Sequence, residues 1–318
     1  MNRFGQERGV LHRQVEATGG DAAGVAPRDA ATEADNAVSR TPIDIVVRKF
    51  DHNAAASAPE YFFDNDPFKT HFLNGLSVLF PEGERFFIRS VLAYRDEVQD
   101  PKLKADIKAF CAQEAQHTLV HEAMNDLAER HGYPMKKIEA FNARGLRRLS
   151  KWGKTSAFAR RLALSITVCM EHFTAILAYQ VLAGDKAQFD GLHPGVRALF
   201  EWHAVEETEH KAVAFDVYRA TGGGPIALRF AMLLASFLFL LGAFLSTAWL
   251  LCCDGNIKRW STYKSAARFL FGRKYGFLVR PARDWLAFFK PGFHPWNQHR
   301  DLDIQEKVDT VAGYLAAG

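Results

Sequence analysis

Cysteine is scarce in this chain. The 318 residues include four, at Cys111, Cys169, Cys252 and Cys253, with no Cys-x-x-Cys pair. That argues against a disulfide-built secreted scaffold and for a reducing compartment. A strong charge of one sign is also lacking. The formal net charge of +4 is too mild to indicate nucleic acid as a partner. Residues 1–40 carry charges throughout and no apolar run of the secretory type, so they read as a disordered or cleavable leader. There is no His-Glu-x-x-His signature, no Gly-x-Ser-x-Gly elbow and no phosphate loop.

What the chain has is a repeated phrase. Glu114-Ala115-Gln116-His117 and Glu207-Thr208-Glu209-His210 both read Glu-x-x-His. A spacing of three puts both side chains on one face of a helix. Each phrase follows another acid in an apolar helical setting, Glu84 before the first and Glu171 before the second. At 48% hydrophobic and 24% charged, the chain can bury one large core or two modest ones.

The order of elements follows from caps and breakers. Asp66-Pro67 and Asp100-Pro101 each pair an N-cap with proline at the first helical position. The first should open a helix through Leu79, with Pro81 breaking it before a stretch from Arg85 to Val98. The second should open a long helix to about Arg130, stopped at Gly132. Pro134 to Leu149 is basic and reads as a surface helix. Thr155 is a candidate cap for a buried helix through Leu182, with Gly184 as its stop. His193-Pro194 starts a further helix to about Tyr218. Thr41 to Val47 alternates and reads as a short extended segment.

Each candidate has a bland reading beside the chemical one. Glu84 could be a helix-start acid favoured by the dipole, with Glu82 competing for its role. Glu171 lies in a run apolar on most sides, where an unpaired carboxylate is costly; metal ligation or a salt bridge to arginine would each solve that. His121 follows His117 by four, and His203 precedes Glu207 by four, so each shares a face with a phrase. Both are candidate metal ligands, with hydrogen-bonding core histidines as the alternative. Glu206 and Glu209 are expected to face outward or to orient a ligating imidazole, and Glu206 is a candidate base. Cys111 and Cys169 read as small buried residues rather than thiolate ligands.

Gly222-Gly223-Gly224-Pro225 is a strong break. Phe230 to Cys253 then carries no charge and is long enough to span a bilayer. Basic residues follow, Lys258, Arg259, Lys264, Arg268, Arg273, Lys274, Arg280 and Arg283, interleaved with aromatics such as Trp260, Tyr275 and Trp285. The positive-inside rule places this side in the cytoplasm. A single span would then put the metal site outside, without a signal to carry it there. A re-entrant hairpin, a surface anchor or a buried core helix would each resolve the conflict. The expected layout is a leader over 1–40, a metal-binding helical unit over 41–220, a hydrophobic and basic-aromatic segment over 225–300 that associates with the membrane, and a C-terminal helix or tail over 301–318. The expected location is the cytoplasm, at the inner face of the membrane.

The series Glu84, Glu114-x-x-His117, Glu171, Glu207-x-x-His210 resembles the ferritin-like di-iron superfamily, in which such a set holds two metal ions inside a four-helix bundle. The wording Phe80-Pro81-Glu82-Gly83-Glu84-Arg85-Phe86-Phe87, with Glu114-Ala115-Gln116-His117 and Glu206-Glu207-Thr208-Glu209-His210, more narrowly resembles a bacterial family of predicted metal-dependent hydrolases, over roughly residues 45–290. The resemblance implies an all-α, ferritin-like four-helix bundle, here with an added hydrophobic C-terminal helical segment, and a metal site. His121 and His203 are extra to the generic pattern. Glutamates and histidines without thiolates suit iron, manganese or zinc. The first expectation is a di-iron oxidase or oxygenase acting with dioxygen and an electron donor on a hydrophobic, lipid-like substrate. The alternative is a metal-dependent hydrolase using zinc or manganese to activate water. A third, non-enzymatic reading is metal storage or a scaffold.

Overall fold

The computed structural model describes residues 39–183, 188–273, 276–300 and 302–315. The leader through residue 38, the stop at Gly184, and Lys274 and Tyr275 lie outside the described residues. Within them the chain is all-α, with no β-strand and only two isolated bridges, Phe50 with Leu315 and Phe63 with Leu192.

The helices are α1 (Pro67–Ser77), α2 (Phe80–Leu92), α3 (Pro101–Arg130), α4 (Met135–Gly153), α5 (Ala157–Ala183), α6 (Pro194–His210), α7 (Val213–Ala220), α8 (Pro225–Cys253), α9 (Trp260–Phe271), α10 (Ala282–Ala287) and α11 (Ile304–Val311). Asp66 caps α1 by accepting from the backbone N–H of Phe68 and Lys69, and Asp100 caps α3 through Lys102 and Leu103. Each such cap stabilises its helix by roughly 1 kcal/mol. The break after α1 falls at Val78-Leu79, and Pro81 sits inside the first turn of α2, where its missing N–H costs nothing. The hydroxyl that accepts at the start of α5 belongs to Ser156, not Thr155; it takes the Ala159 N–H, while Thr155 donates back to Trp152. The helix begun at Pro194 stops at His210 and resumes at Val213.

α2 packs on α3 and α5 on α6, and α2 also meets α5. Apolar side chains from α2, α3, α5, α7 and α8 form one large core beside the resulting interior. α8 runs along α1 and α5. Gly75 permits the α1 contact: a Cβ there would stand 2.6 Å from Thr247 Oγ1. The end of α8 is fastened by Asp254, which accepts from Tyr61 Oη at 3.0 Å, His71 Nε2 at 2.7 Å and Asn256 Nδ2 at 2.8 Å.

Two described helices, α5 and α8, are long and apolar enough to cross a membrane. They differ in surroundings. α5 is mostly buried by its neighbours, as a core helix would be. α8 turns Ala231, Ala235, Ala243 and Ser246 inward, with Leu228, Met232, Leu250 and Leu251 buried toward its ends, and leaves large residues outward, with Ile226 67%, Phe230 70% and Phe237 63% exposed. α11 packs against α6. The basic-aromatic segment divides: Phe269, Phe277 and Phe288 are buried, while Trp260 and Leu286 are exposed.

Candidate metal centre

Four helices supply the candidate ligands: Glu84 from α2, Glu114, His117 and His121 from α3, Glu171 from α5, and His203, Glu207 and His210 from α6. All eight side chains are buried. They converge. His210 Nε2 lies 3.1 Å from Glu114 Oε1, 3.4 Å from Glu171 Oε2 and 3.4 Å from Glu207 Oε2. His117 Nδ1 lies 3.7 Å from Glu114 Oε1 and 3.4 Å from Glu207 Oε1. His203 Nε2 is 2.8 Å from the same Glu207 oxygen, and His121 Nε2 is 3.7 Å from Glu84 Oε1. Two groups have ligand atoms within 4.8 Å of one another: Glu114, His117, Glu207 and His210, and Glu84, His121 and His203.

Apart from the His203–Glu207 bond, proximity here is not hydrogen bonding. Both oxygens of Glu84, Glu114 and Glu171, together with Glu207 Oε2, His117 Nδ1 and His210 Nε2, are buried without a hydrogen-bond partner. An unsatisfied buried polar atom costs about 1–3 kcal/mol, and more when charged. Among the described residues no lysine or arginine comes within ion-pair distance of these four carboxylates. The arginine solution considered for Glu171 is therefore not the one adopted. Metal ions are what this donor set fits: hard carboxylate oxygens plus imidazole nitrogens suit zinc, manganese or iron.

Each imidazole of the two phrases is turned inward by a bond on its far side. His210 Nδ1 donates to Gln113 Oε1 at 2.7 Å, which frees Nε2. His117 Nε2 donates to Glu206 Oε2 at 3.1 Å, which frees Nδ1. These two partners are themselves held. Gln113 Nε2 donates to Glu209 Oε2 and to the Val46 carbonyl. Arg48 reaches Glu209 with both terminal nitrogens, and its backbone N–H donates to Glu206 Oε1. Glu206 and Glu209 thus orient and do not face outward. The extended segment through Val46 and Arg48 is the strap that closes the arrangement.

Arg48, Gln113 and Ser77 were not legible as functional residues. Ser77 Oγ bonds His121 Nδ1 at 3.0 Å. For Gln113 the only local signal is its place one residue before the Glu114 phrase. Of the two competing acids, Glu84 points inward, whereas Glu82 pairs with Arg89 and Arg147. His172 points elsewhere, to the Asp284 carbonyl. Cys111 and Cys169 stand outside both groups, and burial raises both thiols, Cys111 up to about 12.

Without metal, protons balance the buried charge. Burial pushes the Glu84 and Glu171 carboxyls well up, and the nearby Glu114 carboxylate adds to it. Burial opposes ionisation of Glu207 as well, yet His210 and His117 outweigh it and hold it well below the usual range. Burial likewise opposes charging His117 and His210, but the surrounding carboxylates prevail and raise both. Burial and neighbouring histidines keep His121 and His203 low.

The model of a family described as a predicted metal-dependent hydrolase matches residues 46–299. The chain belongs to that family. Its match begins at the strap and ends beyond α10, so it takes in every candidate ligand. No curated protein and no solved structure matches this family member.

Proposed function

We propose that the protein is a hydrolase with a two-metal centre held by Glu84, Glu114, His117, Glu171, Glu207 and His210, with His121 and His203 at the Glu84 end. The observation that carries this reading is the set of buried, unpartnered carboxylate and imidazole atoms aimed at one another. Bound zinc or manganese would supply Lewis acidity and a water acidic enough to ionise near neutral pH.

The protein's own side chains do the rest. Gln113 and Glu206 fix which nitrogen of each imidazole faces the centre. Glu206 is spent on His117 and the Arg48 N–H, so it positions and is not the base. A hydrogen-bonded chain runs from Ser77 through His121 and His203 to Glu207. One tautomer assignment satisfies the two histidine links: His203 Nε2–H donates to Glu207, and His203 Nδ1 accepts from His121 Nε2–H. With these tautomers both histidine donors point toward Glu207, so the chain can hand a proton toward the Glu207 end of the centre. A small pocket lined by His121, His203, Glu207 and apolar side chains, including Leu76 and Leu177, adjoins it.

The test is elemental analysis of the purified protein with turnover of simple esters and amides under argon. Glu114→Ala should lose metal and turnover together. Stoichiometric metal in that variant would count against the site.

A second reading, a di-iron oxidase or oxygenase, is favoured by one observation: the carboxylate-rich, thiolate-free donor set suits iron equally. Substrate-dependent oxygen uptake by the iron-loaded protein with an electron donor, and no anaerobic hydrolysis, would select it. Either way, we place the protein at the inner face of a membrane. The outward row of large apolar residues on α8 supports this, since small-inward and large-outward is the pattern of a helix bordering lipid.

A further inference from the structure

An apolar groove of about 500 Å³ lies between α2, α4, α5 and α8 and opens at Leu234, Leu238 and Leu245 on the outer side of α8. Pockets of about 300–1,000 Å³ are the size that takes small-molecule ligands. Its floor runs beside the metal centre: Gly83 precedes Glu84, and Met170 precedes Glu171. Phe80 lines both this groove and the small pocket containing His121, His203 and Glu207. Its ring is stacked on His121 at 4.5 Å and 10°, so it forms the wall between the two spaces.

The groove has few polar groups, and most are engaged elsewhere. Glu82 pairs with Arg89 and Arg147, Glu139 stands 3.8 Å from an Arg85 nitrogen, and Asn142 donates to Ser246. An occupant therefore meets mostly apolar side chains, with Glu139 and the Asn142 carbonyl at the α4 side, until it passes Phe80. Beyond Phe80 the polar side chains are His121, His203 and Glu207 of the metal centre, Ser77 bonded to His121, Thr174, and Gln180, whose amide is buried without a hydrogen-bond partner. We infer that the groove binds the unbranched acyl or alkyl chain of an amphiphilic substrate, with Phe80 as the gate through which its polar, scissile end reaches the metals. This inference rests on the proposed centre for its chemistry but not for its binding step.

Gly242 offers the means to test it. A Cβ there would stand 3.3 Å from Asn142 Oδ1 and 3.4 Å from Leu79 Cδ2, so a larger side chain must fill the groove. The probe is cis-parinaric acid, titrated by fluorescence into chelator-treated full-length protein. Wild type should bind it saturably. Gly242→Phe and Leu238→Glu should each weaken binding by at least about tenfold, whereas Phe237→Ser, on the exposed face but outside the groove, should not. Should Gly242→Phe fail to fold by circular dichroism, Leu238→Glu decides. Absence of saturable binding, unchanged affinity in the groove variants, or an equal loss in Phe237→Ser overturns the groove. Failure of the metal centre would show differently, as parinarate binding without metal retention or ester turnover.

Discussion

Gln113 accepts the Nδ1 proton of His210 at 2.7 Å. The two residues lie on different helices, and this one bond determines which imidazole nitrogen is left for a metal. Gln113→Leu should keep the fold but leave the His210 ring free to turn. Loss of such a supporting partner typically weakens metal affinity about 10- to 100-fold. Competition with a chelating dye measures this directly, and wild-type affinity in the variant would assign Gln113 to packing alone.

His71 and Asp254 predict an acid-sensitive fold. Burial lowers the His71 pKa, although Asp254 opposes the shift. Asp254 is itself lowered: burial opposes this, but bonds from Asn256 and His71 win. A folded histidine below its unfolded value of about 6.5 binds fewer protons than the unfolded chain, so stability falls as pH drops beneath that value. A depressed aspartate adds to the loss as pH falls through its unfolded value of about 3.9 and on to its folded one. Denaturant midpoints followed from about pH 7 down to about pH 4 should therefore decline. The decline should be shallower in His71→Gln, and an identical slope would remove His71 from the account.

The outer face of α8 predicts membrane binding. Wild type should float with vesicles containing anionic lipid, because exposed apolar rings and nearby basic residues suit an interface. The double variant Phe230→Ser, Phe237→Ser should float several-fold less. Each ring is largely exposed, so stability should change little. If wild type stays in the soluble fraction at low salt, the α8 face has another partner.

Much of the centre was legible because helix geometry is local. Glu114, His117 and His121 fall on one face by spacing alone, and so do His203, Glu207 and His210. Caps at Asp66 and Asp100 were legible for the same reason. What spacing could not show was Arg48, whose partners Glu206 and Glu209 are 158 and 161 positions away. Of the two alternatives for these glutamates, outward-facing or orienting an imidazole, the strap that covers them selects the second. Hydrophobicity also hid the sidedness of α8, since both faces are apolar. The signal lay in side-chain size, small at Ala231, Ala235 and Ala243 and large at Phe230 and Phe237. The all-α class and the family followed from the same helical phrases that carry the ligands.

The strap has a consequence for how the protein is made. Arg48 leaves the ribosome early, and the carboxylates it must grip emerge only with the end of α6. Until then His117 lacks the Glu206 carboxylate that turns it, whereas Gln113, which turns His210, is already made. A nascent chain thus holds Glu84, Glu114, His117 and Glu171 before their neighbours on α6 exist, so the candidate pocket is completed late in synthesis.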